Sequence, residues 1–153
     1  MLLWRLSALR HADTFDGGYG LLLDGRWNTA GHAVTYCATS PSLCVLEKLV
    51  HIEDPTLLPK HVMLTYEMPD PGDRTTIDLA MLPGDWRRRE SWTRARGDAW
   101  HQSRSTLLLQ VPSALVSLAD CPDMNVLINH THPAAAEVRI RARQPFVFDP
   151  RLL

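Results

Sequence analysis

Cysteine is scarce in this chain and badly placed for cross-linking. There are three in 153 residues, Cys37, Cys44 and Cys121, an odd number with no CxxC spacing, which argues against both a disulfide framework and a structural zinc site. They read as reduced packing residues. Long apolar runs are missing as well. Stretches such as Leu107–Leu109 and Val126–Ile128 fall far short of the ~20 residues of a membrane span, and the first residues lack a signal-peptide pattern. A cytoplasmic protein with no membrane contact is expected. Nor is there an excess of one charge: 16 Lys and Arg against 17 Asp and Glu leave a net charge of −1, too little field to gather nucleic acid. Seven histidines come without HExxH or a tight Asp/His cluster, so no metal is expected and surface histidines are the simpler reading. Ser113 follows a proline outside any GxSxG elbow, which leaves a serine hydrolase unsupported. Asp24-Gly25-Arg26 is too short for a dinucleotide or P-loop cradle. With no repeat, low-complexity tract or linker, one domain over residues 1–153 is expected.

What is present reads as α+β, with several short strands around a few helices. Met1–Leu6, Ala33–Ala38, His61–Met68, Leu107–Val111, Ala114–Leu118 and Val138–Arg143 have strand character, and Phe146–Phe148 suits an edge. Ser40 and Pro41 supply an N-cap and a first helical residue. Leu43, Leu46, Leu49 and Val50 then share a helix face until Asp54-Pro55 closes it. Asp85 caps a second helix through about His101, where Trp86, Trp92 and Trp100 mix with arginines. His11–Gly25 holds four glycines and reads as a long adaptable loop, and Pro69–Gly84 as irregular chain.

The densest set of reactive residue types is Gly25-Arg26-Trp27-Asn28, then Tyr36 at a strand end, then Glu47 in the following helix. An arginine fork holds pyrophosphate oxygens, an aromatic face stacks on nicotinamide, and a carboxylate stabilises an oxocarbenium-like ribose. By residue type alone each member also has a plain reading. Arg26 suits a solvated loop, Tyr36 a core, Arg5 a strand edge, and Glu47 a helix surface where Lys48 or His51 pairs with it.

Trp4-Arg5-Leu6, Gly25-Arg26-Trp27-Asn28, Val34-Thr35-Tyr36, and Ser42-Leu43 through Glu47 to His51 resemble, in order, the N-terminal half of a RES domain. Val111-Pro112-Ser113-Ala114, Asn125, Asn129 and His132-Pro133 resemble its C-terminal half. These are the toxins of bacterial RES–Xre type II toxin–antitoxin modules. The resemblance implies a fold like that of ADP-ribosyltransferases, with a mixed β-core and flanking helices, and NAD+ consumed as substrate. The naming arginine, glutamate and serine map onto Arg26, Glu47 and Ser113. The implied catalytic set is Glu47, Arg26, Tyr36 and Ser113, the serine bonding substrate or Glu47. The implied NAD+-binding set is Arg5, Arg26, Tyr36 and Asn129, and Tyr19 in the glycine loop suits either a second aromatic wall or a cover for the core. His130 departs from the family pattern, which has Asn-Pro there.

The resemblance further implies an Xre-type antitoxin that covers the cleft, and the loop His11–Gly25 and the helix around Trp86–His101 are the expected contacts, because they combine backbone freedom with exposed Arg and Trp. A host enzyme is the expected acceptor of ADP-ribose, with water or phosphate as alternatives. A nucleotide-binding module without turnover is the rival of another class. A nucleic-acid binder using Arg87–Arg96 ranks below it, because Asp85, Glu90 and Asp98 balance those arginines.

Overall fold

A computed structural model describes all of residues 1–153 and shows an α+β fold built on one mixed seven-stranded sheet. The strands are β1 (Leu2–Ala8), β2 (Val34–Ala38), β3 (His61–Glu67), β4 (Arg74–Thr76), β5 (Leu108–Pro112), β6 (Met124–Asn129) and β7 (Arg139–Phe146). Their order across the sheet is β4-β5-β6-β2-β1-β3-β7. All neighbours run antiparallel except β4 and β5. β1 and β2, the first strands in sequence, therefore lie inside the sheet, and the later strands flank them.

Alternation along these strands sorts side chains onto two faces. Trp4 stands opposite Ala38 and Tyr36 opposite Leu127. One face thus carries Leu6, Val34, Tyr36, Ala38, Leu127, Leu109 and Val111, which pack into two clusters. Helix α2 (Pro41–Leu49) adds Leu43 and Cys44 to one of them, and helix α3 (Glu90–Ser103) adds Trp100 to the other, where Trp27 and Trp86 also sit. The opposite face carries Leu3, Cys37, Leu64, Tyr66, Val126 and Ile128, covered by Ala12, Phe15, Ala134 and Ala135.

The helix at Ser40 forms as its sequence dictates. The Ser40 hydroxyl accepts from Leu43 N at 3.2 Å and Pro41 occupies the first turn. Elsewhere the structure departs from the sequence reading. His11–Gly25 contains a short helix, α1 (Gly18–Leu22), seated tightly enough on β2 that a Cβ on Gly20 would meet the His32 carbonyl at 2.3 Å. Pro69–Gly84 contains β4, only three residues long, held by the backbone of β5 rather than by its own pattern. Ala114–Leu118 is not a strand, because the Ser113 hydroxyl accepts from Leu115 N at 3.0 Å and turns the chain. β6 went unread because a strand buried on both faces shows an apolar run rather than alternation. The helix expected from Asp85 begins at Glu90, after a 3-10 turn over Trp86–Arg88.

Burial corrects two further readings. Trp86 and Trp100 are core residues beside Trp27 and offer nothing to a partner. His61 and His101 are buried rather than surface histidines. Cys37 and Cys44 pack as expected, and burial pushes the Cys44 thiol up to about 12, which removes it as a nucleophile. No helix is long and apolar enough to cross a membrane.

Candidate active site

Glu47 lies near the end of α2, one position off its buried stripe, and faces the C-terminal ends of β2 and β5 and the start of β6. Two side chains converge on one of its oxygens. Ser113 Oγ donates to Oε1 at 2.8 Å and Asn125 Nδ2 donates to the same atom at 2.6 Å. A carboxylate only accepts, so the asparagine must present its NH2 here. Ser113 is fully buried, and its oxygen is fixed by the Leu115 amide as well. Glu47 is therefore held in one orientation through Oε1, while Oε2 makes no hydrogen bond within the protein.

Tyr36 is its neighbour across the sheet. Asn125 stands opposite Ala38 and Leu127 opposite Tyr36, so Tyr36 and Asn125 share a face as diagonal neighbours, roughly 7–8 Å apart. The Tyr36 hydroxyl is spent on structure. It donates to Asn28 Oδ1 at 2.7 Å and accepts from Trp27 N at 3.0 Å. Asn28 in turn donates to the carbonyls of Gly20, Leu23 and Thr29. Burial holds the phenol well above its ordinary range, so the hydroxyl is no ready proton donor and the ring is what the residue offers to the surface. Tyr19 stands edge-on to that ring at 6.3 Å and is 56% exposed. Gly25 is required here, because a Cβ would lie 2.4 Å from the Tyr36 hydroxyl oxygen.

The Gly25–Thr29 loop is gripped by one face of α3. Glu90, Thr93, Arg94, Gly97 and Asp98 recur at helical spacing. Thr93 Oγ1 donates to the Arg26 carbonyl at 2.6 Å, and Arg94 Nε to the Gly25 carbonyl at 2.8 Å. Asp98 accepts from Thr29 N and Oγ1. Gly97 lies against the Trp27 backbone, where a Cβ would fall 1.6 Å from the carbonyl oxygen. The Arg26 side chain donates to the Arg87 carbonyl at 3.0 Å and lies over Trp86 at 5.8 Å.

The structure thus brings Glu47, Ser113 and Tyr36 to one face, with Tyr19 beside Tyr36 and Arg26 in the loop that the Tyr36 hydroxyl fastens. It does not bring Arg5 or Asn129 into bonded contact with them. By the β1–β2 register Arg5 faces the other side of the sheet, and its guanidinium donates to the Thr14 carbonyl at 3.1 Å and the Tyr66 hydroxyl at 3.4 Å. Asn129 is fully buried and ends β6, donating to the His101 carbonyl and accepting from Thr131 N and Oγ1. That is a turn-building role. His130 keeps the turn ordered by bonding Thr35 Oγ1 through Nε2 at 2.7 Å.

Sequence reasoning placed Asn125 among the motif residues and Glu90 and Arg94 in a balanced charge run, but assigned none of the three to the site. The Glu90–Arg94 pair had a readable signal in its i,i+4 spacing. Asn125 stood out as a motif residue, but its contact with Glu47 had no signal in local spacing, since the two lie 78 positions apart.

An α+β sheet with a carboxylate clamped by a serine and an asparagine beside a pair of tyrosines defines a compact acidic and aromatic site. The chain belongs to the RES domain family, whose model matches residues 2–149. It is 40% identical to "Toxin Res" of Pseudomonas putida over 157 aligned positions, covering 99% of each chain. It is 31% identical to the "Prs ADP-ribosylating toxin" of Sphingobium sp., covering 98% of this chain and 95% of that one. The fold is that of a chain in the crystal structure of the M. tuberculosis MbcT-MbcA toxin–antitoxin complex, matched with a TM-score of 0.72 at 18% identity over 95% of this chain and 84% of the other.

Proposed function

We propose that this chain is the toxin of a toxin–antitoxin pair, that it cleaves NAD+ at the nicotinamide–ribose bond, and that it transfers ADP-ribose to a host protein. The observation that carries this reading is the clamp on Glu47. Two donors fix Oε1 and leave Oε2 free for a ribose, where a positioned negative charge stabilises the cation that forms as the bond breaks. The relative that is named as ADP-ribosylating supports the same chemistry.

In this reading the C1′–N bond breaks and its electron pair leaves with nicotinamide, whose positive charge is thereby neutralised. Glu47 stabilises the ribosyl cation. The Tyr36 ring stacks on nicotinamide, with Tyr19 as the outer wall. Arg26 binds the pyrophosphate, and Ser113 holds Glu47. An acceptor nucleophile then bonds to C1′ and loses its proton. The openness of the Tyr19 side favours a bulky acceptor over water or phosphate. Occlusion of this cleft by an Xre-type antitoxin silences the enzyme, as the likeness to a toxin–antitoxin complex suggests.

The test is nicotinamide release from purified protein, together with the fate of label carried on the adenylate half of NAD+ in a host lysate. Glu47→Gln lowers release by roughly a thousandfold, as loss of a transition-state charge contact does, while NAD+ still binds. Wild-type turnover by that variant would remove Glu47 from the chemistry. Disappearance of NAD+ at the same rate with no labelled protein would leave a degrading enzyme with water or phosphate as acceptor.

A further inference from the structure

Glu90 opens α3 and reaches two arginines at once. Its Oε2 accepts from Arg94 Nη2 at 2.8 Å, and its Oε1 lies 3.6 Å from Arg26 Nη2. Two guanidinium groups are therefore held within reach of a single anionic group, one from the loop that seats the Tyr36 hydroxyl and one from α3, which grips that loop. Each arginine is fixed by contacts that do not involve Glu90: Arg26 by the Arg87 carbonyl and the Trp86 ring, Arg94 by the Gly25 carbonyl. Arg26 and Arg94 are 29% and 28% exposed, and Glu90 is 45% exposed. The arginines are the better anchored partners and the carboxylate the freer one.

The two halves of this bridge are unequal. The Arg94 contact is a short charge-assisted hydrogen bond, whereas 3.6 Å to Arg26 is beyond hydrogen-bond range. One carboxylate also leaves the trio with a net positive charge. A pyrophosphate brings more charge and more acceptor oxygens, which suit paired planar guanidinium forks better than a single carboxylate does.

We propose that Arg26 and Arg94 together form a pyrophosphate-binding fork beside Tyr36, and that Glu90 is its built-in counter-anion, which swings aside when the substrate enters. Arg94 then takes the place that the sequence reading gave to Arg5. Assigning the pyrophosphate to NAD+ rests on the function proposed above; the anion site itself rests on the geometry of Glu90. Competition from Glu90 also discriminates against singly charged anions, which gain little by replacing a carboxylate.

Calorimetric titration with inorganic pyrophosphate tests this on the whole protein. Glu90→Gln keeps the shape and removes the charge, and it tightens binding about threefold at low salt, a gain that shrinks as salt rises. Arg94→Gln weakens binding about tenfold, with its melting temperature measured alongside. Unchanged or weaker binding by Glu90→Gln at low salt overturns the proposal, as does wild-type binding by Arg94→Gln. If both variants shift pyrophosphate binding as expected but the wild type releases no nicotinamide, the fork stands and the proposed reaction falls. If nicotinamide is released and neither variant shifts pyrophosphate binding, the reaction stands and the fork falls.

Discussion

An arginine and a tyrosine lie on each side of the sheet, Arg5 with Tyr66 and Arg26 with Tyr36, and the two couples have different fates. On one face Arg5 bonds Tyr66, which is fully buried and stacks on Phe15 with ring centroids 4.8 Å apart. Phe15 in turn meets the His130 ring edge-on at 4.5 Å. On the other face Tyr36 is only half-buried, and Arg26 reaches a carboxylate that is itself 45% exposed. The first couple uses its polar groups to fasten the segment around Thr14 over the core. The second keeps a ring face and a loosely paired guanidinium available. Residue type does not separate a brace from a site here; what separates them is how much hydrogen-bonding capacity the fold has already consumed.

The largest expected effect tests whether the available face depends on a braced loop. Gly97→Ala drives a methyl group into the Trp27 carbonyl. It should destabilise the protein by about 3 kcal/mol or more, measured by denaturant unfolding, and abolish nicotinamide release with it. A loss under about 1 kcal/mol would mean that the loop does not need α3.

Next comes the clamp. Asn125→Leu removes one of the two donors to Glu47 and should slow kcat by roughly 10–100-fold with little change in KM. Combining it with Ser113→Ala should cost less than the product of the single effects, because both act through one oxygen. A purely multiplicative result, or a change confined to KM, would detach the clamp from the chemistry.

The braced face has its own signature in acid. Burial pushes the His130 imidazole down to about 4, and the nearby charge of Arg5 and the His101 ring act in the same sense, while Asp16 opposes them. The native state therefore holds this ring neutral while the unfolded chain protonates it near 6.5. The stabilisation is complete above pH 6.5 and drains away as the pH falls from there toward 4. For a ring that retains some solvent contact this amounts to about 2 kcal/mol. His130→Gln should flatten that part of the stability-versus-pH curve. An unaltered acid limb would remove His130 as its source.

The smallest effect separates the two arginines. Arg5→Met should lower stability by about 1 kcal/mol through its lost bonds to Thr14 and Tyr66, and raise the KM for NAD+ less than Arg26→Met does. The reverse order of KM effects would place both faces in one site.

Much of this was legible in the chain. Ser40-Pro41 announces a helix start, and the apolar period from Leu43 to Val50 leaves Glu47 at the edge of the buried stripe, where a carboxylate can face a cleft. Of the spaced set Arg26, Tyr36 and Glu47, the fold brings Tyr36 and Glu47 to one face of the sheet. The misses share a physical cause. β4 exists because β5 offers it a backbone partner, and β6 is buried on both sides, so neither advertises itself by alternation. Arg5 and Tyr36 both sit on strands in the motif-bearing half, and only the register of β1 against β2 reveals that they point to opposite sides. Asn125 acquires its role from a strand that returns late in the chain to lie beside β2. Trp86 and Trp100, read as an exposed surface among arginines, belong to the core because Trp27 from a distant loop covers them.

That late return of β6 has a consequence for how the protein is made. Glu47 leaves the ribosome early, with the strands that form the middle of the sheet, but the two groups that orient it are more than 60 residues downstream. The carboxylate stays untethered until the chain has been synthesised past Asn125 and β6 has docked against β2. Domains close as units once their last central strand is available, so the orientation of Glu47 is among the last features of this fold to be completed during synthesis.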